Sequence, residues 1–342
     1  MASIGKYGQI NAKVRAMRSN LLEQAVFNKL IGSTDIKELI STLTTTRFAG
    51  FCNQNNINPI SLEYCITLEN VDQWKHLRKN CPQVIARVIN YFIEEYELRK
   101  LKHLLRLWHQ KKQLDTPLLH EKIRYDLPVS DILQSENIHQ LVEKLEETPY
   151  QSILVNRLSQ YDKMKTVFPF EVALDKDYYS RLWNLTDFFD KRDREISKKI
   201  LGLEIDLINL AWLTRYKNFY DVSSDSLSTY LIPKGNDNNI SFIQSIDKAE
   251  SAPKIVEKIV GTKRIKQLGG LDNTNNIAFF EKALTSIMLS QAHKAFTGFP
   301  FTISILWGFR VFLKFETKNL FSIIQSKVYE LNENEVLPYL VF

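Results

Sequence analysis

Three carboxylates recur in one setting along the chain. Glu97, Asp206 and Glu316 each stand three residues before Lys100, Asn209 and Asn319, and each of those is followed at once by a leucine, Leu101, Leu210 or Leu320. Brought to one point, carboxylates of this kind could divide general acid and general base work between them. The Lys or Asn three residues on argues for something else, because it lies one helical turn away on the same face and can meet the acid locally. A structural ion pair or hydrogen bond fits best, and a contact with a partner stays open. Residues 1–22 contain no acid and carry Lys6, Lys13, Arg15 and Arg18, which gives the opening stretch a likeness to a transit peptide.

Other chemistries lack their residues. There is no G-x-x-x-x-G-K-[ST] to cradle nucleotide phosphates, no G-x-G-x-x-G opening a helix, and no G-x-S-x-G nucleophile elbow. The histidines at 76, 103, 109, 120, 139 and 293 form no H-E-x-x-H and no i, i+4 pair. Cys52, Cys65 and Cys81 include no C-x-x-C, so neither a zinc site nor a disulfide framework is expected. The run Asp272 to Asn276 is rich in oxygen but lacks the glycine and the twelfth-position glutamate of a calcium loop. No catalytic, cofactor or metal residue is therefore assigned, and an interaction protein is expected.

The spacing of the three acids, 109 and then 110 residues, nearly divides the 342-residue chain into thirds. Self-similarity at a fixed period sets an architecture, so three related helical units are expected. A second echo has a constant offset of 102: Ser33, Ile36, Leu39, Ile40, Leu43 and Phe48 match Ser135, Ile138, Leu141, Val142, Leu145 and Tyr150. Helical stripes accompany each acid: Leu98, Leu101, Leu105 and Trp108; Leu203, Leu207, Leu210 and Leu213; Phe312, Leu320, Ile324 and Val328. Turn chemistry at 53–59, 115–117, 126–128 and 233–239 separates the elements. The units are placed at 1–115, 116–225 and 226–342.

Composition agrees with a folded helical chain, at 44% hydrophobic and 25% charged residues with only 11 Gly and 10 Pro. Strand signals are confined to short ambiguous stretches such as Thr166 to Phe170, and the fold class is all-α. A net charge of +6 is modest for this length, and its basic runs are interleaved with acids, so no nucleic-acid surface is expected. Val14, Met17, Leu21 and Leu22 read as the first folded helix. The uncharged run from Ala295 to Phe309 is shorter than the roughly 20 residues a membrane span needs, and it reads as a buried core helix.

Six segments, in order and at matching spacing, carry a resemblance. They are residues 11–22 (NAKVRAMRSNLL), 147–150 (ETPY), 175–179 (DKDYY), 204–210 (EIDLINL), 296–301 (FTGFPF) and 314–320 (KFETKNL). Together they resemble the C subunit of prokaryotic V/A-type ATPases, the counterpart of the d subunit in eukaryotic vacuolar ATPases. One departure is Phe299, where that family commonly has an acid. The resemblance implies three similar helical domains around a pseudo-three-fold axis, forming a funnel. It implies a cytoplasmic position, peripheral to the membrane, between the membrane rotor ring and the central stalk, and a coupling role with no active site and no cofactor. Arg15, Arg18, Glu97, Lys100, Asp206, Asn209, Glu316 and Asn319 would then sit at interfaces with partners or between domains. The alternative is a free-standing helical scaffold unrelated to any rotary ATPase.

Overall fold

The computed structural model describes residues 2–52, 58–79, 81–112, 117–219, 231–235 and 277–341, and no strand occurs among the described residues. The expected all-α class holds. Of the turn stretches and unit boundaries expected from the sequence, residues 53–57, 115–116, 225–226 and 236–239 lie outside the described residues, as do the 272–276 loop and the side chains of Leu210 and Leu213.

Local chemistry sets the helix starts. Helix α1 (Ala2–Ser19) opens the chain and is followed by α2 (Gln24–Gly32). The Asp35 side chain accepts from the Glu38 amide to start α3 (Ile36–Leu43), and α4 (Ala49–Cys52) follows. Asn58 caps α5 (Pro59–Arg78) by accepting from Ser61 N at 2.8 Å, with Pro59 in the first turn, where no amide is missed. Pro82 precedes α6 (Gln83–His109). Four short helices, α7 (Val129–Gln134), α8 (Ile138–Glu143), α9 (Tyr150–Val155) and α10 (Leu158–Met164), lead to α11 (Phe168–Leu185). The Asp190 side chain accepts from Asp193 N at 2.9 Å where α12 (Lys191–Phe219) begins. Helices α13 (Ile277–Thr297), α14 (Ser304–Val328) and α15 (Glu333–Val336) complete the described chain.

Two compact units result. One holds Met1–Leu174 with Phe312–Phe342, the other Asp175–Val311. In the first, α5 and α6 pack antiparallel, with Trp74 against Phe92 (5.1 Å between rings) and Tyr64 beside His103. Both ends of the 102-residue echo lie in this unit, and their capping and turn bonds repeat. Thr34 N donates to the Glu38 side chain and Glu136 N to that of Gln140, at 2.7 and 2.8 Å. Asp35 and Asn137 take the amides of Glu38 and Gln140. Thr46 and Thr148 then turn their hydroxyls back on Leu43 and Leu145. The buried members Leu39, Leu43 and Phe48 correspond to Leu141, Leu145 and Tyr150.

In the second unit α12 packs on α13, and Gly308 of α14 lets α13 approach closely. A Cβ there would stand 2.9 Å from that of Ala295 and 3.1 Å from the Ala292 carbonyl.

Three readings of the sequence are corrected. The uncharged run from Ala295 to Phe309 is not one core helix: α13 stops at Thr297 and α14 starts at Ser304, because Gly298 N makes the last bond of the ladder, to the Lys294 carbonyl at 2.9 Å, and Pro300 has no amide to continue it. Thr166 to Phe170 is helical from Phe168 onward, with Pro169 tolerated in the first turn. On α12, Leu203 and Leu207 are only half-buried, and the buried residues around them include Glu204, Asp206 and Asn209 beside Ile200, Leu201 and Ile205, a face that is half polar. No described helix is long and apolar enough to cross a membrane.

Candidate functional site

The recurring acids sit on the three longest described helices, α6, α12 and α14, and all six motif side chains are buried. Glu97 accepts the amide of Tyr125 on both carboxylate oxygens, at 2.9 and 3.0 Å, and Lys100 donates to the Glu121 carbonyl at 2.9 Å. Glu316 accepts the Leu22 amide at 2.7 Å and pairs with Arg47 through its other oxygen. Asn319 bonds both backbone groups of Val341, donating to the carbonyl at 2.7 Å and accepting from the amide at 2.9 Å. Asn209 does the same with Ile232, at 3.1 and 2.9 Å. Asp206 is buried on the same helix as Asn209, one turn away.

One device thus appears three times. The residue three positions after each acid reaches a backbone carbonyl 21, 23 or 22 residues further on, at Glu121, Ile232 or Val341. Long helix and following connector are stapled at the same level in each copy. Asn can staple with both a donor and an acceptor, whereas Lys has only donors, so in the α6 copy the amide falls to Glu97.

Burial controls the charges. It pushes the Glu97 carboxyl up to about 7 against the pull of the Tyr125 amide and Lys100, and the Lys100 ammonium down to about 8. Burial also raises Glu316, opposed chiefly by Arg47. Around Glu316 the network widens: Arg47 donates to Asn70 at 3.0 Å and Asn70 to the Thr317 hydroxyl at 2.8 Å.

Within the first unit α6 and α14 lie side by side in matching register. Lys314 and Glu95, each two residues before its acid, are 3.4 Å apart. Both helices run the same way, since Gln325 and His103, beyond the two acids, reach Glu63 and Tyr64 at one end of α5. Within the second unit α12 and the start of α14 show the same register: Asp193 accepts the Ile303 amide at 3.0 Å, and Trp307 donates to the Ser197 hydroxyl at 2.8 Å. There Glu204 takes a bidentate pair from Arg310 at 2.5 and 2.9 Å and a third bond from the Tyr179 hydroxyl.

The two N-terminal arginines form none of the staples. Arg15 is exposed and donates to Asn11 at 2.8 Å, while the half-buried Arg18 guanidinium stands 4.7 Å from the Phe312 ring, one turn before Glu316 on α14. Partial burial and the neighbouring Arg15 lower the Arg18 pKa. Sequence reasoning missed Arg47, Glu204 and Arg310, and also Arg124, which pairs with the buried Glu94 of α6 at 2.7 Å. In the sequence Arg310 reads only as the charged end of an apolar run, and Glu204, two residues before Asp206, is the available hint. Among the described residues no group of three or more His, Cys, Asp or Glu could hold a metal ion.

Comparison with known proteins points the same way. The chain is similar to the A-type ATP synthase C subunit of Methanocaldococcus jannaschii, at 24% identity over 99% of this chain and 87% of the relative. It is likewise similar to the protein of that name in Methanococcoides burtonii, at 24% identity over 99% and 95%. The protein of that name in Pyrococcus horikoshii matches at 22% over 87% and 80%. The family described as ATP synthase (C/AC39) subunit matches residues 10–339, and the chain belongs to that family.

Proposed function

We propose that this chain is the non-catalytic coupling subunit of a rotary ATPase, linking the central stalk to the membrane rotor ring for ATP-driven ion transport or ion-driven ATP synthesis. The observation that carries the reading is the family match from residue 10 to 339, with relatives named as the C subunit of A-type ATP synthases along most of the chain. The thrice-repeated staple supports it. A part that transmits torque needs long rigid elements whose connectors cannot slide, and at 1.5 Å per residue the 27 residues of α6 make a strut of about 40 Å. We read the three copies as three similar domains, near 1–115, 116–225 and 226–342, around a pseudo-three-fold axis and shaped as a funnel. The protein would sit on the cytoplasmic side, peripheral to the membrane, touching it only through the ring.

Coupling needs no bond making in this subunit, so its contacts should be polar enough to form and separate without exposing a large apolar face. Arg15 and Arg18 are the docking residues we assign to the stalk, and the buried acid, Lys and Asn residues hold the domains. The test is a complex assembled with and without this chain. ATP hydrolysis by the head should persist without it while coupled ion transport disappears, and affinity purification should recover stalk and ring subunits. Undiminished transport in its absence, or recovery of no rotary-ATPase subunit, overturns the proposal.

A further inference from the structure

A cleft of about 920 Å³ opens in the first unit where α6 ends, beside the α7–α8 link and the end of α10. Its floor is aromatic and aliphatic. Trp108 and Tyr161 lie 6.3 Å apart between ring centres, Ile138 and Leu133 complete the floor, and Trp108 is fixed by donating to the Ser135 carbonyl at 2.7 Å. Its rim is basic: Lys111, Lys112 and Lys165 line it with His109, His120 and His139, half of the histidines in the chain. Two acids, Glu136 and Asp162, also line it, and Asp162 is already flanked by His139 and Lys165 at 3.6 Å each. Lys111 and Lys112 have no carboxylate partner among the described residues.

The backbone sharpens the point. Lys111 and Lys165 both hold positive φ, 53° and 50°, at helix ends where the left-handed backbone favours glycine. Helix α14 ends in the same way: Leu331 N bonds the Ser326 carbonyl as Lys112 N bonds that of Leu107, and the left-handed residue is Glu330. The fold therefore fixes the turn in both copies but leaves its charge free, and only the α6 copy surrounds a cleft with cations.

We infer that this cleft docks an acidic peptide segment of a partner protein, carboxylates meeting the lysine rim and apolar side chains lying on the Trp108–Tyr161 floor. A phosphate ligand fits less well, because the rim offers dispersed ammonium groups and neither an arginine fork nor a nest of backbone amides. The site stands apart from the arginines assigned to the stalk, so its failure would leave the coupling role untouched.

The test is a fluorescein-labelled twelve-residue peptide alternating Glu with Leu and Phe, titrated into the full chain. Combined Lys111→Gln, Lys112→Gln and Lys165→Gln should weaken binding about tenfold, because exposed ion pairs are individually weak and only their sum is readable. Lys29→Gln, Lys37→Gln and Lys79→Gln, which remove the same charge elsewhere on the surface, should stay within twofold. Circular dichroism melts verify that both triple variants are folded. A peptide with Ser in place of Leu and Phe should bind at least tenfold more weakly, and Trp108→Phe should remove the change in tryptophan emission. Absence of binding, equal loss in the two triple variants, or equal affinity for the serine peptide together with displacement by tripolyphosphate would each overturn the assignment.

Discussion

Glu97→Gln isolates the energetic consequence of burying a carboxylate beneath a connector. In the folded chain burial holds Glu97 near 7, against an ordinary value of 4.5. Between those pH values the folded protein keeps a proton that the unfolded chain has released. The native state thus binds more protons, and stability must fall as pH rises through the window. The fall amounts to about 3 kcal/mol at 1.36 kcal/mol per pH unit. Below pH 4.5 both states hold the proton and this loss vanishes. Glutamine carries no charge at any pH, and its amide oxygen can still accept the Tyr125 amide that Glu97 accepts at 2.9 Å. The stability of the variant relative to the wild type should therefore rise by about 3 kcal/mol from pH 4.5 to 7.

Lys100 does not confuse the sign. Burial lowers its pKa, and any further lowering once Glu97 is gone makes the variant gain stability with rising pH, in the same direction. Urea denaturation of both proteins at four pH values across this range measures the difference, and all other carboxylates cancel. Hydrogen exchange at Tyr125 gives a local reading of the same bond. Profiles that run parallel to within about 0.5 kcal/mol would refute the argument, since they would mean that Glu97 is ionised in the native state as easily as in the unfolded one.

Two further outcomes follow, one from the buried ion pair of α12 and α14 and one from the α14 staple. Arg310→Ala leaves Glu204 buried with its charge uncompensated, which should cost about 3 to 5 kcal/mol, while joint replacement of Arg310 by Met and Glu204 by Leu should recover most of that; thermal melts of the three proteins decide it, and an additive double variant would refute it. Asn319→Ala removes both bonds to Val341, so it should cost about 1 to 3 kcal/mol and speed carboxypeptidase trimming of the last residues, and trimming at the wild-type rate would count against the staple.

How far the sequence disclosed this site depended on what each contact uses. The six residues Glu97, Lys100, Asp206, Asn209, Glu316 and Asn319 were visible because an acid and, three residues on, a stapling side chain recur at nearly equal spacing. Their partners were not, because Tyr125, Ile232, Leu22 and Val341 take part through backbone groups, which every residue has. The 102-residue echo was legible through apolar members such as Leu39 and Leu43 against Leu141 and Leu145, whereas the capping residues Asp35 and Asn137 with Glu38 and Gln140 were not read, because their types differ between the copies. The polar face of α12 was concealed by the rule that leucines at helical spacing face the core. Leu203 and Leu207 satisfy that spacing, yet Arg310, some hundred residues away in sequence, satisfies Glu204 and draws a different face inward.

The choice of polar rather than apolar staples has a mechanical meaning. A connector held against a helix by leucine contacts alone can shift by a fraction of an ångström at little cost, because apolar contact is non-directional. A connector held by its own amide and carbonyl has one register, and losing it leaves buried polar groups unpaired at about 1 to 3 kcal/mol each. Asn209 and Asn319 achieve this with a single side chain that both donates and accepts. In the α6 copy the work is divided between Glu97 and Lys100, two groups whose burial is tolerable only while both bonds persist. That division makes the first staple the one whose strength depends on protonation. The two asparagine staples stay indifferent to pH, because an amide has no proton to lose in the physiological range.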